Sequence, residues 1–336
     1  MIGFSNSEFA LWRRCPRQWY ITYYLGYLPA NPSPVGARQF GQRWHVAQEY
    51  QYGHGVDAGF VLDVLYGQAL EEYPDFEKQL RSDHELAKIM NEGYWKWVQE
   101  EGLDAGLQVV ETEAEVRVDL PGFEGWVQLR AKLDQVVWDE KTGWYRFRDH
   151  KTGDMFLDHR MVENDPQMRL YALIAWLATQ KTPPLAGQPV EIDPSVPLVI
   201  GGEVNTARKV KRTSRSKPPY YDRHPFRYTQ ERLASTLLAT QQVAGEIMAA
   251  RKELDETNGD PAWIDHVQKT RLRPVFIGRD CDWSCPLSAG LCMMMDEDPH
   301  GWMRALTESG AWVKGDPYER YTRGVPQLAA HQPEVG

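Results

Sequence analysis

No run of apolar residues in this 336-residue chain approaches the roughly 20 needed to cross a bilayer, and the N-terminus lacks a charged-then-apolar leader pattern. Both point to a cytoplasmic protein with no membrane partner. Cysteine is scarce, with four residues in all. In that compartment so few read as metal ligands or buried thiols and not as disulfides. There is no excess of positive charge: 38 Lys and Arg stand against 47 Asp and Glu, a net charge of −9. Global attraction to nucleic acid is thereby excluded, and any such contact must come from a local basic patch. There is no G-x-x-x-x-G-K-[ST] phosphate loop, so an ATP-driven motor is not expected. No internal repeat is evident.

What is present is an ordinary globular balance, 42% hydrophobic, with 13 Trp and 16 Tyr that read mostly as core or core-rim residues. Ser5 and Glu8 have capping-box spacing ahead of an amphipathic run, and Pro16 suits the start of a second helix. Asn31-Pro32-Ser33-Pro34 is a break. A helix follows with Phe40, Gly41, His45 and Glu49, then a helical, polar-faced stretch over about 56–101. From Val109 to Leu120, Gly125 to Trp138 and Trp144 to His150 the pattern alternates, which predicts three antiparallel strands. Asp165-Pro166 caps a helix running to about Thr179. A Pro-rich link leads to a strand near Val196 to Val204, a long helix spans Thr229 to Leu254, and the last twenty residues read as a loose tail.

The chemistry concentrates in Leu133-Asp134 and Asp149-His150-Lys151-Thr152-Gly153. A turn centred between Lys141 and Thr142 sets Asp134 directly opposite Asp149, with Cβ atoms about 5 Å apart. Lys151, two residues on, shares their face. Two carboxylates that close repel, so something cationic must compensate. Lys151 supplies part of it, and a divalent ion such as Mg²⁺ does so better. Such an ion would lower the pKa of a water and stabilise charge on a scissile phosphate, with Lys151 orienting that water or neutralising the transition state. The residues alone also admit an exposed charged hairpin with a surface Asp–Lys pair.

Asp134, then Asp149-x-Lys151, then Gln167-x-x-x-Tyr171 on the next helix, preceded by Phe40-Gly41-x-x-x-His45-x-x-x-Glu49, resembles the PD-(D/E)XK nuclease superfamily, and within it the RecB-like branch. The resemblance covers about residues 36–205. It implies an α/β fold: a restriction-endonuclease-like core with a mixed central sheet and flanking helices. It also implies that His45, Asp134, Asp149 and the main-chain carbonyl of His150 ligate Mg²⁺ or Mn²⁺. Lys151 would be the catalytic lysine, and Gln167 and Tyr171 would place substrate or Lys151. Taken singly, His45 is equally a capped or core histidine, Gln167 and Tyr171 the polar edge of a helix, and Glu49 a surface charge or a partner to a ligand. The chain departs from the family at Ala131, where a Gly is usual, and at Asp149, where Glu is common.

Cys15 stands far from Cys281, Cys285 and Cys292, which are spaced C-x₃-C-x₆-C. Four thiolates suit an iron–sulfur cluster or a structural zinc, and buried unligated thiols are a third reading. One N-terminal cysteine plus a C-terminal trio is unlike a zinc ribbon. It is similar to the arrangement in AddB-type subunits and CRISPR-associated RecB-like exonucleases, as is Arg13-Arg14-Cys15-Pro16-Arg17-Gln18-Trp19-Tyr20. This similarity implies a [4Fe-4S] cluster stapling the C-terminal region to the first helices. Arg208, Lys209, Lys211, Arg212, Arg215 and Lys217, interleaved with Tyr220 and Tyr221 and followed by Arg223, Arg227 and Tyr228, have the composition of a single-strand DNA track or of a solvated loop. Arg13, Arg14 and Arg17 could extend the track.

The expected organisation is an N-terminal helical segment (1–35), a nuclease core (36–205) with a helical insertion at about 56–101, a basic, long-helix and cluster region (206–312), and a tail (313–336). The expected activity is a metal-dependent DNA exonuclease, acting on single strands or DNA ends in recombination, replication or repair. It would be bacterial or phage-encoded and would work alone or beside a separate helicase or recombination partner. The rival is a catalytically inactive DNA-binding or assembly module of the same fold.

Overall fold

The computed structural model describes residues 1–181, 200–272, 285–287, 290–298 and 301–318. Among these, no helix is long and apolar enough to cross a membrane. The chain divides into two compact units: Met1–Pro32, Pro121–Val127 and Ala239–Gly336 form the first, and Ser33–Leu120 with Gln128–Leu238 the second.

The first unit opens with β1 (Ile2–Ser5), α1 (Asn6–Arg14), α2 (Pro16–Trp19), a π-helical turn (Tyr20–Tyr24) and β2 (Tyr27–Pro29). Ser5 caps α1, its Oγ accepting the Glu8 N–H at 3.3 Å. Only this half of the expected capping box forms. The fully buried Glu8 carboxylate instead accepts the Trp19 indole N–H at 2.8 Å and faces Arg251 and Tyr318. Pro16 begins α2 as expected, with Cys15 as its cap.

The second unit begins with three helices, α3 (Ala37–His54), α4 (Ala58–Glu72) and α5 (Glu77–Glu100), which pack in sequence. Their apolar faces bury Trp44, Leu62, Tyr66, Met90 and Tyr94. The sheet follows: β3 (Leu107–Asp119), β4 (Val127–Asp139), β5 (Trp144–Gly153), β6 (Ile200–Arg208) and β7 (Tyr221–Tyr228), side by side in that order. All neighbours are antiparallel except β5 and β6. That parallel pair requires a crossover, which contains α6 (His159–Asn164) and α7 (Pro166–Lys181). The sheet is therefore mixed, as expected. Residues 196–199 of the anticipated strand, and 319–336 of the anticipated tail, lie outside the described residues. Strand β7 was not anticipated from its sequence.

The β4–β5 hairpin has the anticipated register. Gln135 pairs with Arg148, Val136 with Phe147, and Asp139 with Trp144. Its turn is closed by Gly143 at φ +69°, whose N–H meets the Asp139 carbonyl at 2.8 Å; a positive φ is where glycine has no steric penalty. Behind β5 lies a buried ionic network. Arg148, 1% exposed, donates to Glu203, to Gln135 at 3.1 Å and to Asp104 at 2.8 Å, and its guanidinium lies 5.2 Å from the Tyr52 ring centre. Arg223 reaches Asp104 at 2.7 Å and Asn205 at 2.7 Å, and Arg146 adds a third cation on Glu203 at 3.1 Å. Buried charge survives only where partners satisfy it, and here most donors find an acceptor.

α8 (Gln230–Glu256) runs from the second unit into the first. There, α9 (Pro261–Thr270), α10 (Leu291–Glu297), α11 (Gly301–Glu308) and β8 (Trp312–Lys314) follow. β8 pairs antiparallel with β2, Leu28 opposite Val313.

Candidate metal and nuclease site

The β4–β5 ladder ends at Gln135 and Arg148, one residue short of the two acids. Beyond it the strands are tied by a different bond: the His150 backbone N–H donates to Asp134 Oδ2 at 2.7 Å. His45, on α3, brings Nδ1 to 3.0 Å from the same oxygen. Burial pushes Asp134 up, but His45 outweighs it and holds the carboxyl well below the usual range. Burial likewise opposes charge on His45, and Asp134 overrides it, raising His45 to about 9.

Asp149 is 1% exposed. Lys151 Nζ lies 2.9 Å from its Oδ2 as an ion pair, yet neither carboxylate oxygen accepts a hydrogen bond among the described residues. Burial, opposed by Lys151 and reinforced by Asp134, pushes Asp149 up to about 6. Lys151 stays a cation: burial works against its charge, but Asp149 and Asp134 raise it above the ordinary lysine value. Its ammonium also donates to Gln167 Oε1 at 2.9 Å, and Gln167 Nε2 donates to the Tyr171 hydroxyl at 2.9 Å. Those two residues sit one turn apart on α7, whose start is set by Asp165 accepting the Gln167 N–H at 2.7 Å. All seven candidate residues of the core thus meet in the second unit.

One residue escaped the sequence reading. Glu113, on β3, lies with His45 and Asp134 in a group whose potential ligand atoms are all within 4.8 Å of one another. Thr112 pairs with Gln135 and Ala114 with Leu133, which leaves Glu113 opposite Asp134. Finding it in the sequence requires the register shift between Val109 and Glu111, which alternation alone does not reveal. Its backbone has φ +54°, a left-handed conformation that costs a non-glycine residue about 1–3 kcal/mol and that clusters at functional sites. Lys132 pairs with its carboxylate. Glu49 is not a plain surface charge: burial and the neighbouring Glu113 push it up to about 7.

The basic segment is the β6–β7 connection. Arg215 and Lys217 are exposed, and Lys211 reaches Ser82 Oγ at 3.1 Å. Arg212 lies 3.7 Å over the centre of the Tyr220 ring. Tyr221 corrects its expected role as a stacking platform: it is 8% exposed, its hydroxyl donates to the Met90 carbonyl at 2.7 Å, and its ring stacks on Trp97. Tyr228, 1% exposed, is likewise core. Arg223 belongs to the buried network. Arg208 and Lys209 line the end of β5, where the Lys209 N–H meets the Gly153 carbonyl at 2.7 Å.

In the first unit, Cys15 Sγ accepts the Gln18 N–H at 3.4 Å. Burial pushes its thiol up, and Cys285 and Cys292 raise it further. Arg17, 2% exposed and so withdrawn from any DNA track, donates to Cys292 Sγ at 3.2 Å and holds Asp296 with bonds of 2.8 and 3.2 Å. Cys281 lies outside the described residues.

The family model for the PD-(D/E)XK nuclease superfamily matches residues 3–276. A crystal structure of an exonuclease candidate from Eubacterium rectale is similar, at 11% identity and a TM-score of 0.41, over 84% of this chain and 87% of that one. No curated protein matches the sequence. With its sheet order, its hairpin of acids and most of its length accounted for by that model, the chain belongs to the PD-(D/E)XK nuclease superfamily.

Proposed function

We propose that this protein is a metal-dependent deoxyribonuclease, an exonuclease of the RecB-like branch that hydrolyses single-stranded DNA or DNA ends during recombination, replication or repair. The observation that carries the reading is Asp149: a buried carboxylate without a hydrogen bond among the described residues, beside a second acid and a lysine. Buried polar groups are otherwise paired, and a divalent cation is the partner that this donor set fits. His45, Asp134, Asp149 and the His150 carbonyl would hold Mg²⁺ or Mn²⁺, and Glu113 joins them as a further candidate. When bound, the cation supplies Lewis-acid stabilisation of the scissile phosphate and acidifies the water that attacks it.

The other roles belong to the chain itself. Lys151 keeps its proton and presents a positive charge to the phosphate as negative charge builds there. Gln167 accepts a hydrogen bond from the Lys151 ammonium, and Tyr171 fixes the Gln167 amide.

End-labelled single- and double-stranded DNA, labelled at the 5′ or the 3′ end and incubated with and without Mn²⁺, is expected to be degraded only with the ion. Asp149→Ala and Lys151→Ala are each expected to abolish degradation. Cleavage surviving both substitutions defeats the assignment. DNA binding without any cleavage by the wild type would favour an assembly module instead.

For the first unit, the reading is a [4Fe-4S] cluster on Cys15, Cys285 and Cys292 with Cys281 as fourth ligand. The influence of Cys285 and Cys292 on Cys15, and a guanidinium placed on the Cys292 sulfur, support it, since four thiolates are the ligand set of such a cluster. The cluster would act as a structural clamp. Protein purified without oxygen is expected to be brown and to contain iron, and Cys285→Ser to lose the colour. A colourless protein carrying zinc overturns the cluster.

A further inference from the structure

Directly after the Asp149-x-Lys151 strand, the chain exposes apolar side chains in a short span. Met155 is 78% exposed, Met161 64% and Leu157 37%. Large apolar groups in a row at a surface mark an interaction site. Their surroundings identify the partner. Arg208 lies against Phe156, 5.5 Å from its ring centre, and bonds the Asp154 carbonyl. Lys209 is held on the Gly153 carbonyl, with its ammonium 3.7 Å from the Asp154 carboxylate. The Arg160 side chain is 89% exposed, and Arg208 also bonds the carbonyls of Lys217 and Pro219, which brings the exposed Lys217 segment alongside. Exposed apolar groups and cations are therefore neighbours at the end of β5, with Arg160 also 3.5 Å from the Asp158 carboxylate, in a protein whose net charge is −9.

We propose that residues 154–161 form the surface on which unstacked bases of the DNA strand rest, with Arg160, Arg208 and Lys209 on its phosphates. The inference rests on the nuclease reading, since it places this surface three residues past Lys151. It goes beyond that reading in naming the bases as a recognised part of the substrate. A single strand offers apolar base faces and an anionic backbone together, which is the complement of this patch. A duplex keeps its bases stacked inside and offers the backbone alone. Methionine suits the role because its unbranched, polarisable thioether makes favourable contacts with any flat ring and adapts to base size.

The test is equilibrium binding of the full-length protein without divalent cations, so that its outcome does not depend on cleavage. Three fluorescent probes are compared: a single-stranded oligonucleotide, an abasic strand of equal length and a duplex. The wild type is expected to bind the base-bearing strand about fivefold or more tighter than the abasic one. Met155→Ser with Met161→Ser is expected to erase that preference, and Met155→Leu with Met161→Leu to retain it. Both positions are exposed, so thermal unfolding is expected to be unchanged and serves as the folding control. A wild type that does not discriminate the abasic strand overturns the proposal. So does a serine double variant that still discriminates, which would assign the patch to a protein partner. If binding behaves as expected while no condition gives cleavage, the nuclease reading fails and this one stands.

Discussion

Asp149→Asn is expected to give a protein that melts at a higher temperature than the wild type in the absence of divalent cations, while cutting DNA about a thousandfold more slowly. The two effects share one cause. In the folded chain Asp149 is buried, accepts no hydrogen bond among the described residues and faces Asp134, and Lys151 offsets only part of that cost. Its carboxyl is raised to about 6, so the neutral form is the one the fold favours. The sign follows: below the ordinary carboxylate range the acid is protonated in both states and costs nothing. Between the ordinary carboxylate value and about 6 the unfolded chain is ionised while the folded chain keeps its proton, so stability falls across that interval and levels off above it. The wild type should therefore lose stability relative to Asp149→Asn across that window, by about 1–3 kcal/mol at pH 8. Mg²⁺ or Mn²⁺ should reverse the order by binding only the folded wild type. Thermal melts at pH 5 and pH 8, with and without the ion, test this. A variant that melts lower at pH 8 without metal would show that Asp149 is a structural ion-pair partner of Lys151 and not a ligand held in reserve.

The second large effect belongs to the residue just before it. Arg148→Met is expected to destabilise the protein by about 3–5 kcal/mol, read as a shift in the urea midpoint at constant slope. The arginine is enclosed by Glu203, Gln135, Asp104 and the Tyr52 ring. Methionine fills much of its volume but leaves Glu203 short of its main cation. Adding Glu203→Met should recover part of the loss, because an intact apolar pair is tolerated where half an ion pair is not. Recovery should stay partial, since Arg146 and Arg223 would then lose a partner in turn. Full tolerance of Arg148→Met would show that the network contributes little to folding.

The site was legible where chemistry and periodicity coincide. A turn fixed by Lys141, Thr142 and Gly143 dictates which residues of a hairpin oppose, so Asp134 and Asp149 could be set together from spacing alone, and β4 and β5 keep that register. The helix carrying Gln167 and Tyr171 announced itself through Asp165-Pro166. Strand β7 did not, because its charges read as a solvated track. Arg223 in fact points at Asp104 and Glu203, a pairing that only tertiary contact reveals, and Pro225 is tolerated because β7 lies at the end of the sheet order. Glu113 was hidden by a one-residue irregularity near Val109, which moves every later side chain of β3 to a new partner. Exposed Met155 and Met161 were invisible for another reason: burial is not written in the identity of an apolar residue.

The amide hydrogen between Asp149 and His150 gives the site a property of its own. Because that N–H holds Asp134 Oδ2, one acid is positioned by the planar, rigid peptide that follows the other. The imidazole at 150 branches from the same stretch of main chain but packs among Tyr52, Tyr94 and His45, with neither nitrogen bonded among the described residues. Exchanging that ring for another of similar size would alter the interior it fills while leaving the main-chain donor to Asp134 in place.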